Sequence, residues 1–218
     1  MELNDYIAEF FDGRIYNIAK TLPFRNDNPL YGVFTSDLPS CLRRLVKKLD
    51  DTPIAQKYEY KGSIGKGGFA DVFWFGCKLS PLAPSWHEGF YIVYLLSKGA
   101  KSLYLSLMLG TEIIFTKAEF EQKVKDLRVP KEELTSILQK DVAGADGIDL
   151  TPFDFEKIQL GDTYLAKAYE IANIFSIKYN SIDGAPTQTK IEEDLKKFLE
   201  VYKRCAFIYD GKKVPNCK

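Results

Sequence analysis

The chain has 218 residues and a mass of 24.8 kDa, with 30 Lys+Arg against 30 Asp+Glu and a hydrophobic content of 45%. Zero formal net charge excludes a broad, non-specific nucleic-acid coat, which needs clustered cations, but leaves room for a local basic face. The apolar content supports a core of ordinary size, and no stretch approaches the ~18 apolar residues of a membrane span.

The opening MELNDYIAEFF is acidic and amphipathic and does not read as a signal peptide, so a cytoplasmic protein is expected. Ile7, Phe10, Phe11, Ile15, Ile18 and Ala19 recur at helical spacing and predict one helix over residues 1–21, capped by Asn4 or Asp5. Residues 22–34, rich in Pro, Asn and Gly, read as a loop. Ser36 and Asp37 then cap a helix over about 38–50 with Leu38, Leu42, Leu45, Val46 and Leu49 inward. Its other face carries Arg43, Arg44, Lys47 and Lys48. Two readings of that face stand: a solvated surface with cations near the helix C-terminus, where the dipole favours them, or a stripe contacting phosphates through Arg43, Arg44 and Lys47.

Residues 58–109 hold the densest pattern. Four β-type runs occupy 58–63, 69–77, 89–96 and 102–109, and Ser97-Lys98-Gly99-Ala100 suits a hairpin turn between the last two. Between the first two lies a glycine-rich loop, Ile64-Gly65-Lys66-Gly67-Gly68-Phe69-Ala70-Asp71, in which glycines allow positive φ or close backbone approach. Strand alternation puts Tyr91, Val93 and Leu95 on one face and Ile92, Tyr94 and Leu96 on the other.

Beyond the sheet, Thr116 to Glu119 forms a capping box that opens a helix to about 127, with Phe120, Val124 and Leu127 on one face. Val129-Pro130 is expected to break it, with Pro130 starting another helix to about 140. Residues 143–151 read as a loop, 164–179 as β-rich in its second half, and 181–189 as a loop. A last helix over about 189–204 carries Ile191, Leu195, Phe198, Leu199 and Tyr202 as a core stripe. The fold expected is α+β: a curved, mostly antiparallel sheet with helices packed around it. Residues 1–205 would form one domain, and 206–218 a tail or the start of a linker.

Chemistry is sparse. The loop resembles the phosphate-covering loop of protein kinases, but there is no V-A-I-K lysine, no H-R-D catalytic loop and no D-F-G. His87, the one histidine, stands in Trp-His-Glu with no G-x-S-x-G elbow, and no strand-borne E-x-K follows a strand aspartate. The carboxylates of 141–154 lack EF-hand spacing. Cys41, Cys77, Cys205 and Cys217 lack the paired spacing of a zinc site; Cys41 and Cys77 read as small buried hydrophobes. No catalytic residue, metal or cofactor is expected.

The order of three motifs is more specific. The string G-S-x-G-K-G-G-F-A-D-V-F-W at 62–74, then G-F-Y-I-V-Y-L-L at 89–96 and L-Y-L-S-L at 103–107, resembles the N-terminal DNA-binding domain of McrB-type modification-dependent restriction systems. A looser match extends to 164–179 with its Tyr169-Glu170 pair. Phe73 departs from the family's usual proline, and Gly68-Phe69 from its frequent Asn-Trp. The resemblance implies recognition of double-stranded DNA carrying a modified base, with modified cytosine first in mind, by flipping the nucleotide into a pocket. It implies a base pocket of Lys66, Trp74, Tyr91, Leu95 and, at uncertain register, Tyr169, with backbone contacts from Lys61, Ser63, Gly65 and Gly67. A nuclease or AAA+ motor in the same or a partner chain would act on the target. Trp74 reads equally as a core aromatic, and Lys66 suits phosphate or a base carbonyl better than stacking. A modification-independent sequence reader and a nucleotide-binding regulator stand as alternatives. If Trp74 and Tyr91 line a pocket, truncating either to alanine is expected to abolish binding and leave thermal stability largely intact.

Overall fold

The computed structural model describes residues 1–111, 114, 116–142, 150–155 and 157–209, with side chains described except at 141, 142 and 207–209. Most of the loop expected at 143–151, and the tail from 210 with Cys217, lie outside the described residues.

Five strands form one open sheet in sequence order, antiparallel throughout: β1 (Tyr58–Ser63), β2 (Phe73–Leu79), β3 (Phe90–Leu96), β4 (Ser102–Leu109) and β5 (Asn173–Asn180). Six helices accompany it among the described residues: α1 (Leu3–Phe11), α2 (Arg14–Thr21), α3 (Leu38–Leu49), α4 (Lys117–Ile137), α5 (Tyr164–Ala172) and α6 (Gln188–Tyr209). The α+β expectation holds, and the hairpin turn between β3 and β4 falls at 97–101.

Several expected boundaries move, each for a local reason. The single helix of residues 1–21 is two, because Gly13 adopts φ 72° and ends the first turn sequence. The loop at 22–34 contains a helical turn, Pro29–Gly32, whose cap is Asn28: its Oδ1 accepts the Leu30 N–H at 3.0 Å and Pro29 occupies the first helical position. A wider turn, Val33–Asp37, continues directly into α3, so Asp37 has no free amides to cap and makes no capping bond. β2 begins only at Phe73; Phe69 instead packs edge-on against Phe24 at 5.2 Å. Pro130 does not divide α4. It loses one helical hydrogen bond, but Lys123, Leu127, Pro130 and Leu134 are all buried, and that packed stripe carries the helix through. The capping box at Thr116 and Glu119 is present as expected. Residues 164–179 divide cleanly into α5 and β5. The last helix reaches Tyr209, further than its expected end.

Directly opposed residues of antiparallel strands share a face, so the register sorts the sheet into two surfaces. One carries the row Gly62, Phe75, Tyr94, Leu105 and Ile177. Phe75 stacks on Tyr94 at 4.8 Å and meets Phe34, Tyr202 meets Tyr58 and Phe90, and Phe198 meets Phe175. This is the helix-covered core, closed by the 33–37 turn, α3 and α6. The other surface carries the row Ser63, Trp74, Leu95, Tyr104 and Lys178. It is covered by α5 and by the long loop 80–89, and it is the surface on which the sequence candidates fall.

Candidate nucleic-acid interface

The glycine loop joins β1 to β2 and is closed at its base by the Ala70 N–H donating to the Ile64 carbonyl at 2.8 Å. Ser63 Oγ accepts the Gly65 N–H at 3.1 Å, which turns the chain out of the strand. Gly65 takes φ 126°, and a Cβ there would lie 2.0 Å from the Gly68 carbonyl oxygen, so no side chain fits. Gly67 takes φ 77° with open space around it, and Lys66 between them is exposed. The loop is therefore a tight backbone arch with a lysine at its outer side.

Behind the arch stands an aromatic cluster. Trp74 is opposite Leu95 on β3 and Ser63 on β1, and Tyr169 of α5 lies beside it. Tyr91, four residues before Leu95, shares their face. Burial pushes the Tyr91 phenol well above its ordinary value, with neighbouring Tyr169 adding to the rise, and burial likewise pushes Tyr169 up to about 12. Both phenols are therefore neutral hydrogen-bonding groups throughout the physiological range. Trp74, Tyr91, Leu95 and Tyr169, drawn from three separated segments, thus meet on one patch.

Sequence reading missed a member. Trp86, in loop 80–89, lies 5.2 Å from Trp74 and 5.1 Å edge-on from Tyr91, and its carbonyl accepts the Tyr91 hydroxyl at 3.0 Å. The Lys78 ammonium sits 6.0 Å over its ring while bonding the Ala83 carbonyl at 3.0 Å and Glu59 at 3.0 Å. With Trp86 in place the patch is packed: Tyr91 is 4% exposed and Leu95 1%. The signal that could have found it is compositional, since both tryptophans of the chain fall in this stretch. His87, beside it, places Nδ1 3.1 Å from the Thr111 carbonyl, which ties the loop to the end of β4.

The backbone candidates divide. Lys61 is exposed on β1 on the cluster's side of the sheet, and Ser63, Gly65 and Gly67 form the arch next to Trp74. Arg43, Arg44 and Lys47 are not brought to them. They lie on α3, in the opposite layer, where Arg43 stacks 5.2 Å over Tyr60 and Arg44 bonds the Met1 carbonyl. The reason is that α3 buries its leucines on the core surface of the sheet, which fixes its basic face away from the aromatic patch. Cys41, Cys77 and Cys205 are free and buried, and among the described residues no group of three or more His, Cys, Asp or Glu could hold a metal ion. No helix among them is long and apolar enough to cross a membrane.

The chain thus carries an open antiparallel sheet with one helix-packed surface and a glycine arch and aromatic cluster on the other. A profile of the family described as MrcB-like, N-terminal domain, matches residues 14–206, and the chain belongs to that family. Its class is accordingly that of McrB-type DNA-binding domains of restriction systems. No curated protein matches the chain.

Proposed function

We propose that this domain reads a modified base in duplex DNA by taking the nucleotide out of the stack and into the aromatic patch, and so directs a nuclease or AAA+ motor, in the same or a partner chain, to its target. The observation that carries this is the meeting of Trp74, Tyr91, Leu95 and Tyr169 beside the tight glycine arch, in a chain of this family. Extrusion costs a few kcal/mol of unstacking. Stacking on an aromatic returns about 1–3 kcal/mol per base. The patch offers two such faces, and the hydroxyls of Tyr91 and Tyr169 supply hydrogen bonds to a base edge.

The indole of Trp86 now fills the space against both Trp74 and Tyr91. In this reading the flipped base takes that seat and the outer part of the loop, residues 84–88, swings outward while Leu82 and Ala83 stay in the core, exchanging one aromatic contact for another. Ser63, Gly65 and Gly67 bring backbone to the extruded nucleotide, while Lys66 and Lys61 meet phosphates. The domain itself performs no bond-breaking step and needs no cofactor.

Duplexes bearing cytosine, 5-methylcytosine, 5-hydroxymethylcytosine or N6-methyladenine, each beside 2-aminopurine, test this at fixed salt. Modification-dependent binding with a rise in fluorescence is expected, weakened in Trp74→Ala by the worth of one stacked base and kept or strengthened in Trp86→Ala. Equal binding to all four without a fluorescence rise leaves a modification-independent reader. Binding of ATP in place of DNA would move the glycine arch to a nucleotide-regulated role.

A further inference from the structure

At the end of the sheet bearing the β3–β4 turn, a cleft of about 890 Å³ opens between that turn, segment 157–162, the start of α5 and the end of β5. Five lysines line it, Lys98, Lys101, Lys157, Lys167 and Lys178, against two carboxylates, Glu170 and Asp162. In a chain of zero net charge this is a marked local excess. The carboxylates account for three of the five. Glu170, 1% exposed, accepts the Leu160 N–H at 2.9 Å and pairs with Lys167 at 3.3 Å and Lys157 at 3.8 Å, which latches segment 157–161 onto α5. Lys98 is shared between Asp162 at 3.3 Å and Asp71 of the glycine arch at 3.7 Å. Lys101 and Lys178 have no ion pair among the described residues. Both are exposed, and Lys178 stands 5.8 Å over the Tyr104 ring on the cleft floor.

An open, polar cleft with two uncompensated ammonium groups fits a chain of phosphates, for which lysine is a compact point charge with three rotatable donors. We infer that this cleft seats the DNA backbone to one side of the read base, with Lys101 and Lys178 as direct phosphate contacts. The inference rests on the reading of the aromatic patch as the base site. The sheet supplies the spacing. Lys178 and Trp74 occupy one row, three strand steps apart. At about 4.8 Å per step that is roughly 14 Å. A duplex rises 3.4 Å per base pair, so the gripped phosphates lie about four base pairs from the flipped nucleotide.

The test uses the 218-residue chain, a double variant Lys101→Gln/Lys178→Gln and a charge-matched control Lys125→Gln/Lys196→Gln from exposed positions elsewhere. Dissociation constants for modified and unmodified duplexes are measured from 50 to 200 mM salt, with melting temperatures in parallel. The slope of log affinity against log salt is expected to flatten by about two in the double variant, so that over this salt range its binding weakens about tenfold less than that of the original chain. Its preference for the modified base and its melting temperature are expected to stay as they were. Trimming one duplex arm, but not the other, to two base pairs beyond the read base should weaken the original chain and leave the double variant unmoved. An unchanged slope, or an equal change in the control, overturns the cleft assignment. Loss of modification preference already in the original chain overturns the base-reading proposal instead, and absence of any duplex binding at 50 mM salt overturns both.

Discussion

The two surfaces of the sheet are built from the same strands and differ in almost everything else. The surface under α3 and α6 is Phe, Leu and Tyr packed ring to ring, with Phe75 and Tyr94 stacked within 6° of parallel. The opposite surface mixes Trp74, Tyr91 and Tyr104 with Ser63, Lys78, Ser106 and Lys178, and its cover is a long loop and one short helix. Helices bring apolar stripes that exclude water along their length. A loop brings backbone polar groups and side chains that exchange partners without unmaking the core. The proposed reading depends on this contrast: one surface holds the fold, and the other would admit a base only once Trp86 leaves its seat.

The largest effect that sharpens this contrast is expected on the core side. Phe75→Ala removes a ring that is 1% exposed and contacts Phe34 and Tyr94, and should cost about 3–5 kcal/mol in urea unfolding. Trp74→Ala, on the partly buried patch, should cost less stability than Phe75→Ala yet weaken modified-duplex binding by about 5- to 150-fold, the worth of one stacked base. A stability loss equal to that of Phe75→Ala would make Trp74 a core residue and dissolve the distinction. Tyr91 needs a gentler change than truncation. At 4% exposure its ring is itself packed, so Tyr91→Ala is expected to cost stability as well as binding. Tyr91→Phe removes only the bond to the Trp86 carbonyl and should cost about 1 kcal/mol, while shifting the fluorescence of Trp86.

Smaller effects belong to the helix layer. At Asp50, burial raises the carboxyl, but hydrogen bonds from Thr52 and the Lys203 ammonium outweigh it and hold the group below its ordinary value of 3.8. A carboxyl depressed in the folded state stabilises above its unfolded value, and that contribution is lost as pH falls through the folded one. Melting temperature should therefore be flat near neutrality and fall below about pH 4, less steeply in Asp50→Asn, with DNA preference untouched by that variant. Least of all should follow from Arg43→Gln/Arg44→Gln/Lys47→Gln, which alters only the outer face of α3. Duplex binding is expected within about twofold of the original at 0.15 M salt, where exposed charges a Debye length of about 8 Å away are screened. A tenfold loss would place DNA on the helix side and reverse the comparison.

Local chemistry was legible in residues that act through their immediate neighbours. The strand β1 and β4 limits, the turn at 97–101, the Thr116 capping box and the apolar stripe of α6 all depend on residues within a few positions of one another, so spacing alone reveals them. The alternation of Tyr91, Val93 and Leu95 against Ile92, Tyr94 and Leu96 is likewise set by the pleat. The helix run through Pro130 was not legible, because its continuity comes from burial against other elements and overrides a local rule. Nor was the entry of Trp86 into the Trp74 cluster, since a loop residue carries no periodic signal of where it will pack.

Sequence by itself determined β1, β3 and β4, the glycine arch and the family, because backbone sterics and side-chain alternation operate within short windows and motif order survives without any structure. Tertiary structure alone decided which basic residues stand with the aromatic patch. α3 is bound to the far surface by its buried leucines, which carries Arg43, Arg44 and Lys47 away. Pairing of β4 with β5, residues some seventy positions apart, brings Lys178 beside Tyr104 and into one cleft with Lys101. No window of sequence holds that information, because it resides in the register between distant strands.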